Sequence, residues 1–164
     1  MAIVGAVCVV LLVLTTVIHY EMLRALTVGL RVFRIPARAK LIVVIFGAFI
    51  AHAAEIVLYA FAMHMLVRNF GLGMLGDPSH FSASVCLYFS AETYTSLGFG
   101  DVVPKGELRL LAGVEALNGL LLIGWSASYT YIAMERFWSD NGEEKTAVGS
   151  QPGAAPGVPP STLR

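Results

Sequence analysis

The residues whose types and spacing carry the clearest chemistry form one short run, Thr95-Ser96-Leu97-Gly98-Phe99-Gly100-Asp101. Its resource is backbone. Gly98 and Gly100 flank one aromatic residue, and glycines accept the positive-φ conformations that turn successive carbonyls toward a common axis. A ring of such carbonyls from several chains replaces the water shell of a cation. The run sits between strongly apolar segments. Irregular backbone at membrane depth costs several kcal/mol per unpaired peptide group, so it survives only inside protein or around water.

Other candidates are side chains. Glu92 precedes the run and Asp101 closes it. His52, Glu55 and Tyr59 fall at i, i+3 and i+7, on one helical face. An acid in an apolar helix is costly and points to function. Two readings stay open: a hydrogen-bonded His52–Glu55 pair that fixes packing, or a pH sensor. Glu115, Asn118, Ser126 and Tyr129 make a polar stripe that faces either an aqueous cavity or neighbouring helices. Gly119 is either a hinge or a close-packing site. His19, His64 and His80 read as interface residues without identifiable partners. Cys8 and Cys86 give neither metal spacing nor a disulfide framework. No Walker motif, HExxH or nucleophile constellation occurs, so an enzyme is not expected.

The elements that must position these residues are helices. Apolar residues make up 57% of the 164-residue chain and charged residues 13%, against roughly 25% charged in a soluble domain. So small a body cannot bury that much apolar surface, and lipid is the expected solvent. Net charge is zero, which gives no reason to expect nucleic-acid binding. Residues 2–23 form a first membrane helix; a cleaved signal peptide is the rival reading, but the flanks required for it are missing. Residues 24–40 form a basic segment in which Arg24, Arg31, Arg34 and Arg38 share one face. It reads as an interfacial helix drawn to anionic lipid or as a solvated loop. Residues 41–67 form a second membrane helix, and 69–78 a loop. Residues 81–93 are too few to cross a core of about 30 Å and read as a re-entrant helix. Residues 108–137 form a third membrane helix. Residues 138–164 read as a disordered tail. The arginines place 24–40 in the cytoplasm, the N-terminus outside and the C-terminus inside.

The run at 94–101, followed by Val102-Val103-Pro104, resembles the potassium-channel pore signature. The likeness covers about residues 79–138 and is greatest to small bacterial pore-loop channels and to pore domains of two-pore-domain potassium channels. It implies a homotetramer in the plasma membrane with two helices flanking each pore loop as the family minimum; with the first helix as an extra, the expected fold is all-α, with three membrane helices and a re-entrant pore loop per subunit. It also implies passive K+ permeation, K+ being held by backbone carbonyls of Ser96, Leu97, Gly98 and Phe99 within a filter at 95–100. Partners would be three identical subunits and lipid, with no cofactor beyond the permeant ion. Ser96 stands where threonine is usual and Phe99 where tyrosine is usual. Tyr88 and Phe89 occupy positions often held by tryptophan. Glu92 and Asp101 match acids that support the filter, and the likeness implies that they share a proton behind it. By a gapless match Leu121, Gly124 and Ser128 would face the cavity. The extra first helix would pack outside the pore, facing lipid or a neighbouring subunit. Rival readings are a non-selective cation channel and a non-conducting scaffold. A pore-loop transporter would need four repeats in one chain.

Overall fold

The computed structural model describes residues 1–32 and 36–149. They form an all-α protein of four helices: α1 (Ala2–Val32), α2 (Ala37–Phe70), α3 (Ala83–Tyr94) and α4 (Leu108–Gly149). Three stretches, Ala2–Leu30, Arg38–Phe70 and Leu108–Arg136, are long and apolar enough to cross a membrane. α3 has 12 residues, a length of about 18 Å. Large apolar side chains such as Phe46, Phe49 and Phe61 are more than half exposed, an outer surface suited to lipid or to further protein.

Polar contacts define the helix directions. The N-terminal amine pairs with Glu107; further along, Asn118 meets Thr15 and Tyr129 meets Thr27. α1 and α4 therefore run side by side in the same direction, while α2 returns between them. Two apolar clusters hold the bundle. One joins Val4, Cys8 and Leu11 of α1 to Tyr59, Met63 and Leu66 of α2, Cys86 and Phe89 of α3, and Leu108 and Leu111 of α4. The other, smaller cluster joins Leu30, Val44 and Ala133. A buried polar belt of Thr15, His19, Glu55, Asn118 and Ser126 lies between them. Around α3, β1 (Met74–Leu75) pairs antiparallel with β2 (Pro104–Lys105), clamping the two loops that flank it.

The boundaries correct three expectations. α1 does not stop at residue 23: it runs on to Val32 through what was read as a separate basic segment. Leu23 and Leu30 are buried there, and Leu26 packs beneath Gly47 of α2. Extending a formed helix costs far less than starting one, and Glu21–Arg24 adds an i, i+3 ion pair at 3.2 Å. Arg24 and Arg38 are exposed; Arg34 and the side chain of Arg31 lie outside the described residues. α3 begins at Ala83 because the Ser82 hydroxyl caps it, accepting from the Val85 N–H at 3.3 Å. α4 continues to Gly149 rather than ending at 137, through the helix formers Glu143, Glu144, Lys145 and Ala147. The rest of the expected tail, 150–164, lies outside the described residues.

Candidate functional site

The chain leaves α3 by folding back on it. The Ser96 N–H donates to the Thr93 carbonyl at 3.0 Å, and those of Leu97 and Gly98 both donate to the Glu92 carbonyl, at 2.8 and 3.2 Å. The Phe99 N–H donates to the Glu92 carboxylate at 3.1 Å. Three successive N–H groups thus point back at one residue. Among the described residues all peptide bonds are trans, and in a trans peptide the carbonyl opposes the N–H. The carbonyls of Ser96, Leu97 and Gly98 therefore point away from α3, to the open side of residues 95–100, a strand of irregular backbone that belongs to no sheet. This needs alternating backbone hands. φ is +56° at Ser96, +54° at Gly98 and +80° at Gly100, whereas Leu97 and Phe99 keep negative φ. Glycine meets that demand without strain at two of the three positions; Ser96 meets it despite carrying a Cβ. Leu97 and Phe99 are 61% and 66% exposed in the single chain.

Glu92 is buried, and its carboxylate gives the Phe99 N–H an acceptor that would otherwise be missing. Asp101 takes other partners. The Tyr88 hydroxyl lies 3.2 and 3.0 Å from its two carboxylate oxygens, and the Val102 N–H donates to it at 3.0 Å. Among the described residues no hydrogen bond joins Glu92 to Asp101. Each acid is committed to a different donor, which corrects the expectation of a shared proton. Phe89 is buried in the larger apolar cluster.

The polar stripe of α4 faces its own subunit. Glu115 contacts the Ser90 hydroxyl of α3, and the Asn118 amide donates to Thr15 at 2.8 Å and to Tyr59 at 3.2 Å. Ser126 lies 3.1 Å from His19 and Tyr129 2.8 Å from Thr27. Leu121, Gly124 and Ser128 are exposed instead. Gly119 is a close-packing site: a Cβ there would overlap the backbone carbonyl of Tyr94. The first helix is therefore bonded into its own subunit.

His52 and Glu55 do meet, at 3.2 Å, but they are half of a larger cluster. His19 lies 2.9 Å from the other carboxylate oxygen. The Tyr94 hydroxyl donates to Glu55 and lies 2.9 Å from His52. His19, read from sequence as an interface residue, is completely buried. Its signal was in the spacing: Leu11, Thr15, His19 and Leu23 recur every fourth residue and are all buried, so His19 lies on the inward row of α1.

Three membrane-length helices around a short helix and a strand with carbonyls on one side define a polytopic membrane protein. The chain belongs to the ion channel family: the family model described as Ion channel matches residues 39–136, well over half of the chain. That span takes in almost all of α2, the whole of α3 and the strand after it, and α4 as far as Arg136. No curated protein and no solved structure matches.

Proposed function

We propose that the chain is one subunit of a homotetrameric, potassium-selective channel of the cell membrane. K+ moves passively through a filter at Thr95, Ser96, Leu97, Gly98, Phe99 and Gly100, held by backbone carbonyls. The observation that carries this reading is the tying of the Leu97, Gly98 and Phe99 N–H groups onto Glu92, which leaves the carbonyls of 96–98 facing open space. One strand offers carbonyls on one side only, so enclosing an ion requires further copies, and a filter of this type uses four. Tyr88, Asp101 and Glu92 brace the strand. The N-terminus lies outside and the C-terminus inside, because arginines concentrate between α1 and α2; Arg24 and Arg38 face anionic headgroups.

The test is ion flux from liposomes containing the purified chain. Potassium flux with little sodium flux, blocked by barium, is the expected result; an intact tetramer without flux would mean a scaffold. A non-selective cation channel is the second reading, favoured by Ser96 and by Phe99, which has no hydroxyl to brace the filter. Bi-ionic reversal potentials separate the two. For orientation, an impermeant thiol reagent applied outside should label a cysteine at Ser79 but not one at Arg38, both exposed positions. Cys8 and Cys86 are buried and leave a quiet background.

A further inference from the structure

The geometry points to a binding site for a divalent transition-metal ion, Zn2+ by its donor set, formed by His19, His52 and Glu55 in the centre of the bundle. One ligand atom from each of the three lies within 4.8 Å of the others. His19 Nδ1 is 2.9 Å from one Glu55 oxygen and His52 Nδ1 is 3.2 Å from the other. Around a tetrahedral zinc ion with bonds of roughly 2.0–2.1 Å, ligand atoms stand about 3.3 Å apart. Two imidazole nitrogens and one carboxylate are a zinc set; Mg2+ and Ca2+ prefer oxygen alone. The Tyr94 hydroxyl, 2.9 Å from His52, or a water fills the fourth position.

Three further observations support an ion here. The far nitrogen of His19, Nε2, is held by the Ser126 hydroxyl at 3.1 Å. Such an outer hydrogen bond fixes a ligating imidazole with its other nitrogen toward the metal. Glu55 is fully buried, and its partners are two imidazoles and a phenol rather than a lysine or arginine. A carboxylate within a membrane-spanning helix is costly without a counter-charge; imidazoles in the neutral form that ligates a metal supply none, and a divalent cation does. There is also a route in: His52, Tyr94 and Thr95 line a groove of about 450 Å³ between α2 and α4.

The site touches the filter through Tyr94, the residue before Thr95. An ion that engages or displaces the Tyr94 hydroxyl changes how the end of α3 is held, so occupancy should alter conduction. That consequence rests on the proposed channel function; the binding does not.

The test uses the full chain in detergent, carrying Trp138→Phe so that Trp125 is the only tryptophan. After stripping with chelator it is dialysed against Zn2+ and, separately, Co2+. His80→Ala removes the exposed His80–Asp77 pair as a competing site. Expected are one Zn2+ per chain, tetrahedral visible bands with Co2+, and quenching by Co2+ of Trp125, whose ring lies 5.4 Å from that of His19. His19→Ala should abolish binding, and the milder Ser126→Ala should weaken it about tenfold. Absence of Zn2+ and of cobalt bands in the parent protein would overturn the site, as would undiminished binding in Ser126→Ala together with His19→Ala. Binding without any effect of Zn2+ on potassium flux would keep the site and overturn its coupling to the filter.

Discussion

Gly119 of α4 lies against the backbone carbonyl of Tyr94, too close for any side chain to stand between them. The contact is where α4 supports the end of α3, one residue before the carbonyl-bearing strand begins.

Gly119→Ala should therefore destabilise the protein, although alanine is the better helix former by about 1 kcal/mol. Overpacking of this kind costs about 1–3 kcal/mol, and here the obstacle is backbone, which cannot rotate away. Gly5→Ala, with open space around it, should be neutral or mildly stabilising. Thermal unfolding of the two variants in detergent checks this, and equal stability would restore the hinge reading of Gly119.

Gly98→Ala should abolish potassium flux while leaving the oligomer intact. Its φ of +54° lies in the left-handed region, and relaxing it to negative φ would swing a carbonyl off the open side. Undiminished selective flux would remove 95–100 from the conduction path.

Glu92→Gln keeps an oxygen acceptor for the Phe99 N–H, whereas Glu92→Val leaves that N–H unpaired. A donor left unsatisfied out of reach of water costs about 1–3 kcal/mol, an upper limit for this part-buried bond. The glutamine variant should conduct nearly as the parent does, and the valine variant should show a much lower single-channel open probability. Equal behaviour would separate Glu92 from strand support.

Asn118 and Thr15 should be energetically coupled. A double-mutant cycle of Asn118→Leu with Thr15→Val, read by unfolding, should give about 0.5–2 kcal/mol, the range for hydrogen bonds between membrane helices. Strict additivity would mean that the 2.8 Å contact contributes nothing to docking α1.

Asp77 supplies the pH dependence of the loop between α2 and α3. Its carboxylate accepts from the Ser79 backbone N–H at 2.9 Å and from the Ser79 hydroxyl at 2.8 Å, and these bonds hold its pKa below the ordinary aspartate value. A depressed folded pKa gives order that is complete at neutral pH and is lost as the pH falls through the depressed value. Protection of the Ser79 amide should follow that course, and Asp77→Asn should flatten it. Protection that rose on acidification would reverse the sign.

The number of membrane helices and the position of the strand after α3 were legible in the sequence because both rest on local signals: unbroken apolar length and the Gly98-Phe99-Gly100 spacing. The inward direction of the Glu115–Tyr129 stripe was one of two readings, since a helix face says that it differs from its opposite and not what covers it. His19 was illegible as a partner of Glu55. The two are 36 residues apart, and only the antiparallel return of α2 brings them together. The Glu92 carboxylate was read as sharing a proton with Asp101 because both are acids near one strand, yet which backbone N–H each accepts depends on φ signs that composition does not reveal. The continuation of α1 past residue 23 was missed because arginines were read as the end of a membrane segment, although no proline occurs before Pro36 and the helix carries Gly29 within it.

The stretch that this chain shares with the ion channel family begins at residue 39, so α1 lies wholly outside it. Yet α1 supplies one partner to each of Glu55, Asn118, Ser126 and Tyr129. A graft carrying only residues 39–136 would strip the Ser126 hydroxyl and the Tyr129 phenol of these partners and leave Glu55 with only His52 and Tyr94 and Asn118 with only Tyr59, and an unpaired polar group in hydrocarbon costs several kcal/mol. The conducting body of this protein is not a portable cassette. An engineer who wished to move it would have to bring the first helix with it or replace those four side chains with apolar ones.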